Sequence, residues 1–222
     1  MGRVNKIRVG ELFAGIGGIG IGLESTGAFE VVWQVEKDDY ATKVLKKHWA
    51  HVRRWDDVCT FPAAGQQWEV DMITAGFPCT NISNAGKREG IEGNESKLFY
   101  EVIRIAEELR PKWLILENVT ALLHRGMGEV LRSLSAIGFD VEWFCIRASD
   151  LGAWHRRDRI FFMCQRADAE NDVNASRTVD GWVCDRCGLD VFNGCGCDQG
   201  EWVCDDCGEY TYPFYYSIDE GC

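Results

Sequence analysis

A cysteine on a stiff turn is the residue of this chain best suited to nucleophilic chemistry. Cys79 directly follows Gly-Phe-Pro, and this tripeptide ends a short apolar run that predicts a buried strand over residues 70–75. Pro78 fixes its own φ angle and donates no backbone hydrogen bond, so it stiffens the turn. Reactive groups of open α/β sheets gather at the carboxyl ends of strands. A thiol there is either a catalytic nucleophile or a small buried apolar residue.

A glycine-rich stretch is the second candidate for chemistry. Residues 7–13 predict a first strand, and five glycines between residues 15 and 22 predict a tight turn into a helix. Such turns bind nucleotide-like ligands at the helix N-terminus. A second strand over residues 31–35 puts Glu36 at its carboxyl end, where it could accept hydrogen bonds from ribose hydroxyls. The alternative is a solvated acid that opens the next helix.

The remaining elements must position these groups. Further helices are predicted over residues 38–49, 96–109 and about 127–137, and further strands over residues 113–116, 140–147 and 160–164. Alternating strands and helices predict an α/β fold with a doubly wound, mostly parallel sheet. Glu117 follows one strand, and Arg157 and Arg159 precede the last. Residues 84–95 are polar and predict a mobile loop.

Charge divides the chain into two parts. The net charge is −11, yet residues 1–167 hold 22 of the 24 Lys and Arg and 22 of the 35 Asp and Glu. The acidic excess therefore lies in residues 168–222, and we predict a domain boundary between the two parts. The neutral first part can still bind a polyanion through local arginines, whereas the acidic tail is a poor ligand for a phosphate backbone.

The tail also contains a cysteine repeat. GWVCDRCG (181–188) recurs as EWVCDDCG (201–208), so two C-x2-C pairs are separated by sixteen residues. This spacing is typical of four-thiolate zinc sites, and we predict a small zinc-binding tail held by Cys184, Cys187, Cys204 and Cys207. Cys195 and Cys197, which lie between the pairs, are either spare thiols or ligands in another arrangement.

The chain carries no sign of a membrane or secretory protein. No apolar run approaches the eighteen residues of a membrane span, and the first ten residues lack a signal-peptide core. A cytoplasmic protein is the expectation.

Five motifs, taken in order, give the chain a family resemblance. They are LFAGIGG (12–18), Glu36, GFPC (76–79) with SNAGK (83–87), ENV (117–119) and RRDR (156–159). In order and spacing this set resembles the DNA (cytosine-5) methyltransferases over about residues 7–165. The resemblance implies a Rossmann-like methyltransferase domain in residues 1–167 and S-adenosylmethionine as the methyl donor.

The resemblance also implies a role for each matching residue. The donor would be bound by Phe13, Ala14, Gly15, Gly17, Gly18, Glu36, Asp57, Pro78 and Leu98. Cytosine would leave the DNA stack, be attacked at C6 by Cys79 and be stabilised at N3 by a protonated Glu117, with Arg157 and Arg159 on the base carbonyl and a phosphate. Ser83 and Lys87 would contact the nucleic acid.

One departure from the family leaves alternatives open. Nothing after Cys164 resembles the target-recognition domain or the final donor-pocket motif of such enzymes. A DNA cytosine-5 methyltransferase of the restriction-modification type is therefore the leading interpretation. An RNA (tRNA) cytosine-5 methyltransferase and a non-catalytic or split subunit are the alternatives. A second polypeptide could supply recognition and the final motif.

Overall fold

The computed structural model of the chain describes residues 6–63, 65–78 and 97–167. The strands of these segments are β1 Ile7–Leu12, β2 Phe29–Val35, β3 Arg53–Trp55, β4 Met72–Ala75, β5 Trp113–Val119, β6 Phe139–Arg147 and β7 Asp158–Arg166. The helices are α1 Gly18–Ser25, α2 Asp39–His48, α3 Lys97–Leu109, α4 Leu122–Arg125 and α5 Met127–Ala136.

The strands form one mostly parallel sheet in the order β3-β2-β1-β4-β5-β7-β6. Strands β3, β2, β1, β4 and β5 are parallel neighbours, and β7 runs antiparallel between β5 and β6. The predicted mostly parallel α/β sheet is confirmed. The strand order reverses between β1 and β4, and the carboxyl ends of strands at such a point border the ligand crevice of open α/β sheets.

Helices cover both faces of the sheet because the strands carry apolar residues on both sides. On one face, the buried side chains of α3 and α5 pack against β1, β4, β5 and β7 in the larger core. On the other face, Leu45 and Trp49 pack against Val9 and Val31 in a smaller cluster. The strand ends that carry the candidate site are thus held from two sides.

Two strands that border the candidate site are longer than the sequence predicts. The strand expected over residues 113–116 continues to Val119, so Glu117 lies inside β5 instead of after it. The strand expected over residues 160–164 spans Asp158–Arg166, because it pairs with β6 along its whole length and with β5 from Arg159 to Gln165. This pairing also puts Arg159 inside the strand. The short elements β3 and α4 were not predicted.

No helix among the described residues is long and apolar enough to cross a membrane. The predicted loop at residues 84–95 and the predicted second domain at residues 168–222 lie outside the described residues, so both stay predictions.

Candidate active site

The glycine turn after β1 depends on backbone conformations that suit glycine. Gly15 and Gly17 have φ angles of 55° and 86°, and Phe13 also has a positive φ of 53°. A Cβ atom on Gly17 would lie 2.4 Å from the Trp49 ring, whereas one on Gly15 would have no neighbouring atom within 4 Å. The turn is therefore packed on one side and open on the other.

Helix α1 begins directly after this turn and leaves its first turn uncapped. Its N-cap residue, Gly17, offers no side-chain hydrogen bond, and no acidic residue lies in its first turn. A Cβ atom on Gly18 would likewise have no neighbour within 4 Å. The helix end is therefore a suitable place for an anionic group of a ligand.

Glu36 ties the glycine turn to the end of β2. Gly15 N–H donates to Glu36 Oε2 at 2.7 Å, and Asp38 N–H donates to Glu36 Oε1 at 2.8 Å. The half-buried carboxylate thus accepts one backbone hydrogen bond on each oxygen, which leaves lone pairs for further donors. The predicted position of Glu36, directly after β2, is confirmed.

Asp57 lies beside Glu36 along the same crevice. Lys37 Nζ lies 2.9 Å from Asp57 Oδ2, and Cys59 N–H donates to Asp57 Oδ1 at 3.0 Å. The lysine, followed by the Cys59 amide, holds the pKa of Asp57 below its usual range. Asp57 is therefore a carboxylate held in place by Lys37, the residue that follows Glu36.

The loop after β4 is held from two directions. Phe77 is buried, and its ring lies 5.1 Å from the Phe99 ring of α3. From the other side, the buried Asn118 donates from Nδ2 to the Phe77 carbonyl oxygen at 3.2 Å. These contacts fix Phe77 and the half-buried Pro78. Cys79, which follows Pro78, lies outside the described residues.

Glu117 and Arg159 form an ion pair next to this loop. Arg159 Nε lies 2.7 Å from Glu117 Oε1, and each side chain is about one-fifth exposed. The two residues meet as diagonal neighbours because Val119 pairs with Arg159 across β5 and β7. A Cβ atom on Gly76 would lie 3.3 Å from Glu117 Oε2, so this second oxygen faces the start of the thiol loop.

Arg157 occupies a different position from Arg159. It is exposed and has a φ angle of 31°, which residues other than glycine rarely adopt. Arg159 Nη1 donates to the Asp158 carbonyl oxygen at 2.8 Å. Of the two predicted arginines, Arg159 joins the Glu117 cluster and Arg157 points to the surface beside it.

The other predicted residues divide into two groups. Phe13 and Leu98 are half-buried and pack against the larger core beside the crevice. Ser83, Lys87, Cys184, Cys187, Cys204 and Cys207 lie outside the described residues. Among the residues that the structure does describe, no group of His, Cys, Asp or Glu could hold a metal ion.

Two functional contacts were missed from the sequence. The first is the Asn118 contact with Phe77, which depends on the register between β4 and β5. The second is a buried pair beneath the glycine turn, in which Gln34 Nε2 donates to Glu11 Oε2 at 2.7 Å. Burial raises the pKa of Glu11, against smaller lowering effects from Gln34 and the Gly20 amide. An acid between Gly10 and Leu12 near the end of β1 was the available signal.

We expect Glu11 to make the chain less stable as pH rises. The pKa of Glu11 is higher in the folded state than in the unfolded state, so at pH values between these two pKa values the folded state binds more protons. The free energy of unfolding therefore falls as pH rises through this range. Glu11→Gln should remove this fall in urea unfolding at pH 5 and pH 8. The exposed acid Glu30 provides the matched control, Glu30→Gln. An unchanged pH dependence in Glu11→Gln would show that Glu11 is not the group responsible.

The fold is a Rossmann-like α/β domain, and the candidate site lies at the strand-order switch between β1 and β4. Solved structures with the same fold include a methyltransferase of Entamoeba histolytica, EhMeth, with a TM-score of 0.64, 18% identity and coverage of 77% of this chain and 56% of that one. The Dnmt2 methyltransferase of S. pombe has a TM-score of 0.62, 17% identity and coverage of 83% and 58%. These likenesses support the fold.

Residues 7–181 match the C-5 cytosine-specific DNA methylase family, and the chain belongs to this family. The type II methyltransferase M.CviJI of Paramecium bursaria Chlorella virus IL3A is 42% identical over 181 residues, which cover 80% of this chain and 49% of that protein. M.Sau3AI of Staphylococcus aureus is 35% identical over 196 residues, with coverage of 80% and 47%. The chain thus spans about half the length of these relatives.

Proposed function

We propose that this chain transfers a methyl group from S-adenosylmethionine to C5 of cytosine in DNA. The observation that carries the proposal is the Glu117–Arg159 pair beside Gly76, at the start of the loop that leads to Cys79. The Glu117 carboxyl group faces the start of the loop that leads to the Cys79 thiol. This arrangement suits a cytosine ring that is attacked by the thiol at C6 and stabilised by the carboxyl group at N3. Membership of the C-5 cytosine-specific DNA methylase family supports the same reaction.

The crevice at β1 and β2 fits the methyl donor. The open side of Gly15 and Gly18 gives room for close approach, and the uncapped end of α1 suits the donor's carboxylate. Phe13, Ala14 and Gly17 complete this turn. S-adenosylmethionine supplies an electrophilic methyl group on a sulfonium, and neutral thioether is released when the methyl group leaves.

Carboxylates and apolar side chains would hold the rest of the donor. The remaining lone pairs of Glu36 suit the ribose hydroxyls, and Asp57 suits the adenine amine. Pro78 and Leu98 would close the crevice from the β4 and α3 sides. The donor methyl group would then face the loop of Cys79.

The chemistry assigned to this chain begins at C6 of a cytosine that has left the base stack. The Cys79 thiolate forms a bond to C6, and the ring electrons move toward N3, where a Glu117 carboxyl group protonated on Oε2 would supply a hydrogen bond and a proton. C5 is then enamine-like and takes the methyl group. Loss of the C5 proton to a base, return of the N3 proton to Glu117 and expulsion of the Cys79 thiolate restore the ring.

Arg159 and Arg157 would serve this reaction differently. Arg159 pairs with Glu117 Oε1, which leaves Glu117 Oε2 for the cytosine base. The remaining N–H groups of Arg159 suit the carbonyl oxygen of the base. Arg157 is exposed and suits an adjacent phosphate. Ser83 and Lys87 are proposed to contact the nucleic acid from the segment after Cys79.

Target selection is proposed to come from outside the sheet domain. The tail of residues 168–222 is acidic, and an acidic tail is a poor ligand for a phosphate backbone. We propose that recognition is supplied from outside residues 1–167, with a second polypeptide as one candidate source. Residues 1–167 alone should therefore bind the donor weakly and methylate with little sequence preference.

Donor binding tests the proposed function at the crevice. We expect Glu36→Ala to lower the affinity for S-adenosylmethionine about tenfold to a hundredfold, since a charged hydrogen bond contributes about 1.5–3 kcal/mol. Isothermal titration calorimetry of the full chain measures this change. Glu69→Ala, which removes an exposed acid elsewhere, is the control and should bind like the wild type. A wild-type chain that binds no donor would favour a non-catalytic subunit and defeat the proposal.

We propose separately, from the spacing of the cysteines, that the tail binds zinc. Cys184, Cys187, Cys204 and Cys207 should hold one zinc ion per chain, and Cys184→Ser should lower that content in elemental analysis. A chelator should release the metal and leave the circular dichroism of the sheet domain in place. Cys59→Ser, which removes an exposed thiol of the first domain, is the control. Purified chain without metal and with titratable tail thiols would contradict this proposal.

A further inference from the structure

The loop that joins β6 to β7 carries an unusual group of exposed side chains. Trp154 is 95% exposed and Leu151 is 76% exposed. His155, Arg156 and Arg157 follow directly and are exposed as well. An exposed indole followed closely by two arginines combines the two features that bind single-stranded nucleic acid, a stacking platform and positive charge.

This loop is fixed to the sheet by several contacts. Ala148 N–H donates to the Arg156 carbonyl oxygen at 2.9 Å, and Ala153 N–H donates to the Ala148 carbonyl oxygen at 3.0 Å. The Arg147–Asp158 ion pair, at 2.8 Å, closes the loop at its base. Trp154 is therefore presented from a fixed frame, which lowers the entropy lost when its ring packs on a partner.

The position of the loop relates it to the proposed active site. Asp158 and Arg159 begin β7, and Arg159 pairs with Val119 at the carboxyl end of β5. The loop thus leaves the sheet at the same edge as the Glu117–Arg159 pair. A nucleic acid strand whose base reaches Glu117 would therefore approach the sheet edge from which this loop leaves.

The charges of the loop favour a polyanion. Among the described residues, no carboxylate pairs with the guanidinium group of Arg156 or Arg157, whereas Asp158 is paired with Arg147. Asp150 is the remaining acid of the loop, and it accepts a hydrogen bond from Ser149 at 3.4 Å. Two unpaired arginines beside an exposed indole suit phosphates next to an unstacked base.

We propose that Trp154 stacks on a base of the DNA strand next to the target nucleotide, while Arg156 contacts an adjacent phosphate. This inference rests on the proposed function and deepens it, because it names the surface that holds the substrate beside the chemical site. Stacking is sequence-tolerant, since every base has a π-face. The loop therefore contributes affinity and strand placement, not recognition of a sequence.

DNA binding by the full chain tests the inference. A fluorescein-labelled 20-nucleotide single strand and its duplex are titrated, and affinity is read from fluorescence anisotropy at several salt concentrations. Trp154→Ala should lower the affinity about tenfold to a hundredfold with an unchanged salt slope, the effect of losing one stacked base. Trp154→Phe should restore most of it. Arg156→Gln should instead reduce the slope of log K against log salt by about 1.

Phe144→Ala is the control, because it removes an exposed aromatic side chain from β6 away from the loop. It should bind DNA like the wild type. Equal affinity of Trp154→Ala and the wild type would overturn the inference and leave the proposed function intact if donor still binds. A wild-type chain that does not bind DNA would also overturn the inference about Trp154. Titration with S-adenosylmethionine would then test the proposed function by itself. Loss of self-association in Trp154→Ala, with DNA affinity unchanged, would reassign the loop to protein contacts.

Discussion

DNA that contains 5-fluorocytosine is expected to become covalently attached to the wild-type chain in the presence of S-adenosylmethionine. Attack by Cys79 and methyl transfer can both occur, but fluorine at C5 leaves no proton to remove, so the thioether bond to C6 persists. Cys79→Ala should give no covalent complex and no methyl transfer. Denaturing gel electrophoresis of labelled DNA measures the attachment.

Two other thiols provide matched controls for this experiment. Cys59 and Cys145 are exposed, yet each is a poor nucleophile. Desolvation and the neighbouring Asp57 raise the pKa of Cys59, and desolvation raises the pKa of Cys145. Cys59→Ala and Cys145→Ala should trap DNA like the wild type. Attachment that survives in Cys79→Ala would rule out Cys79 as the nucleophile.

Glu117→Gln is expected to lower the rate of methyl transfer about a hundredfold to ten-thousandfold, the usual contribution of a positioned acid. The amide keeps the shape of the side chain but cannot supply the proton at N3. Donor affinity should change little, because Glu117 faces Arg159 and Gly76 and not the glycine turn. Single-turnover transfer of a tritiated methyl group measures the rate.

The matched control for Glu117 is another ion-paired glutamate. Glu129 lies on α5, 2.6 Å from Arg132 and outside the crevice. Glu129→Gln removes that ion pair at a cost of at most about 1 kcal/mol and should leave the transfer rate unchanged. A comparable loss of donor affinity in Glu117→Gln would mean that Glu117 faces the donor and that its assignment is wrong.

Patterns of neighbouring residues in the sequence predicted the side chains that lie at the strand ends. Glu36 follows β2 and Phe77 follows β4, as expected, because a carboxyl end is marked by a change from apolar to polar or glycine residues. The glycine turn was predicted for the same reason. These parts of the site depend on neighbours in sequence.

Contacts between distant strands could not be predicted in the same way. The Glu117–Arg159 pair and the Asn118–Phe77 hydrogen bond depend on the registers of β5 with β7 and β4. Arg166 is a further example. It is buried, and its guanidinium group donates to the carbonyl oxygens of Ala106, Pro111 and Ile137. The sequence offers only an arginine after an apolar strand, which is more often exposed.

Bisulfite sequencing of unmethylated DNA after incubation with the 222-residue chain and S-adenosylmethionine tests the central claim most directly. Methylated cytosines resist deamination, so we expect protected cytosines with the wild type and none with Cys79→Ala. A parallel incubation with tRNA and a tritiated donor separates the two substrates. Deamination of every DNA cytosine by bisulfite, together with a tritium label on tRNA, would contradict the account and identify an RNA cytosine methyltransferase.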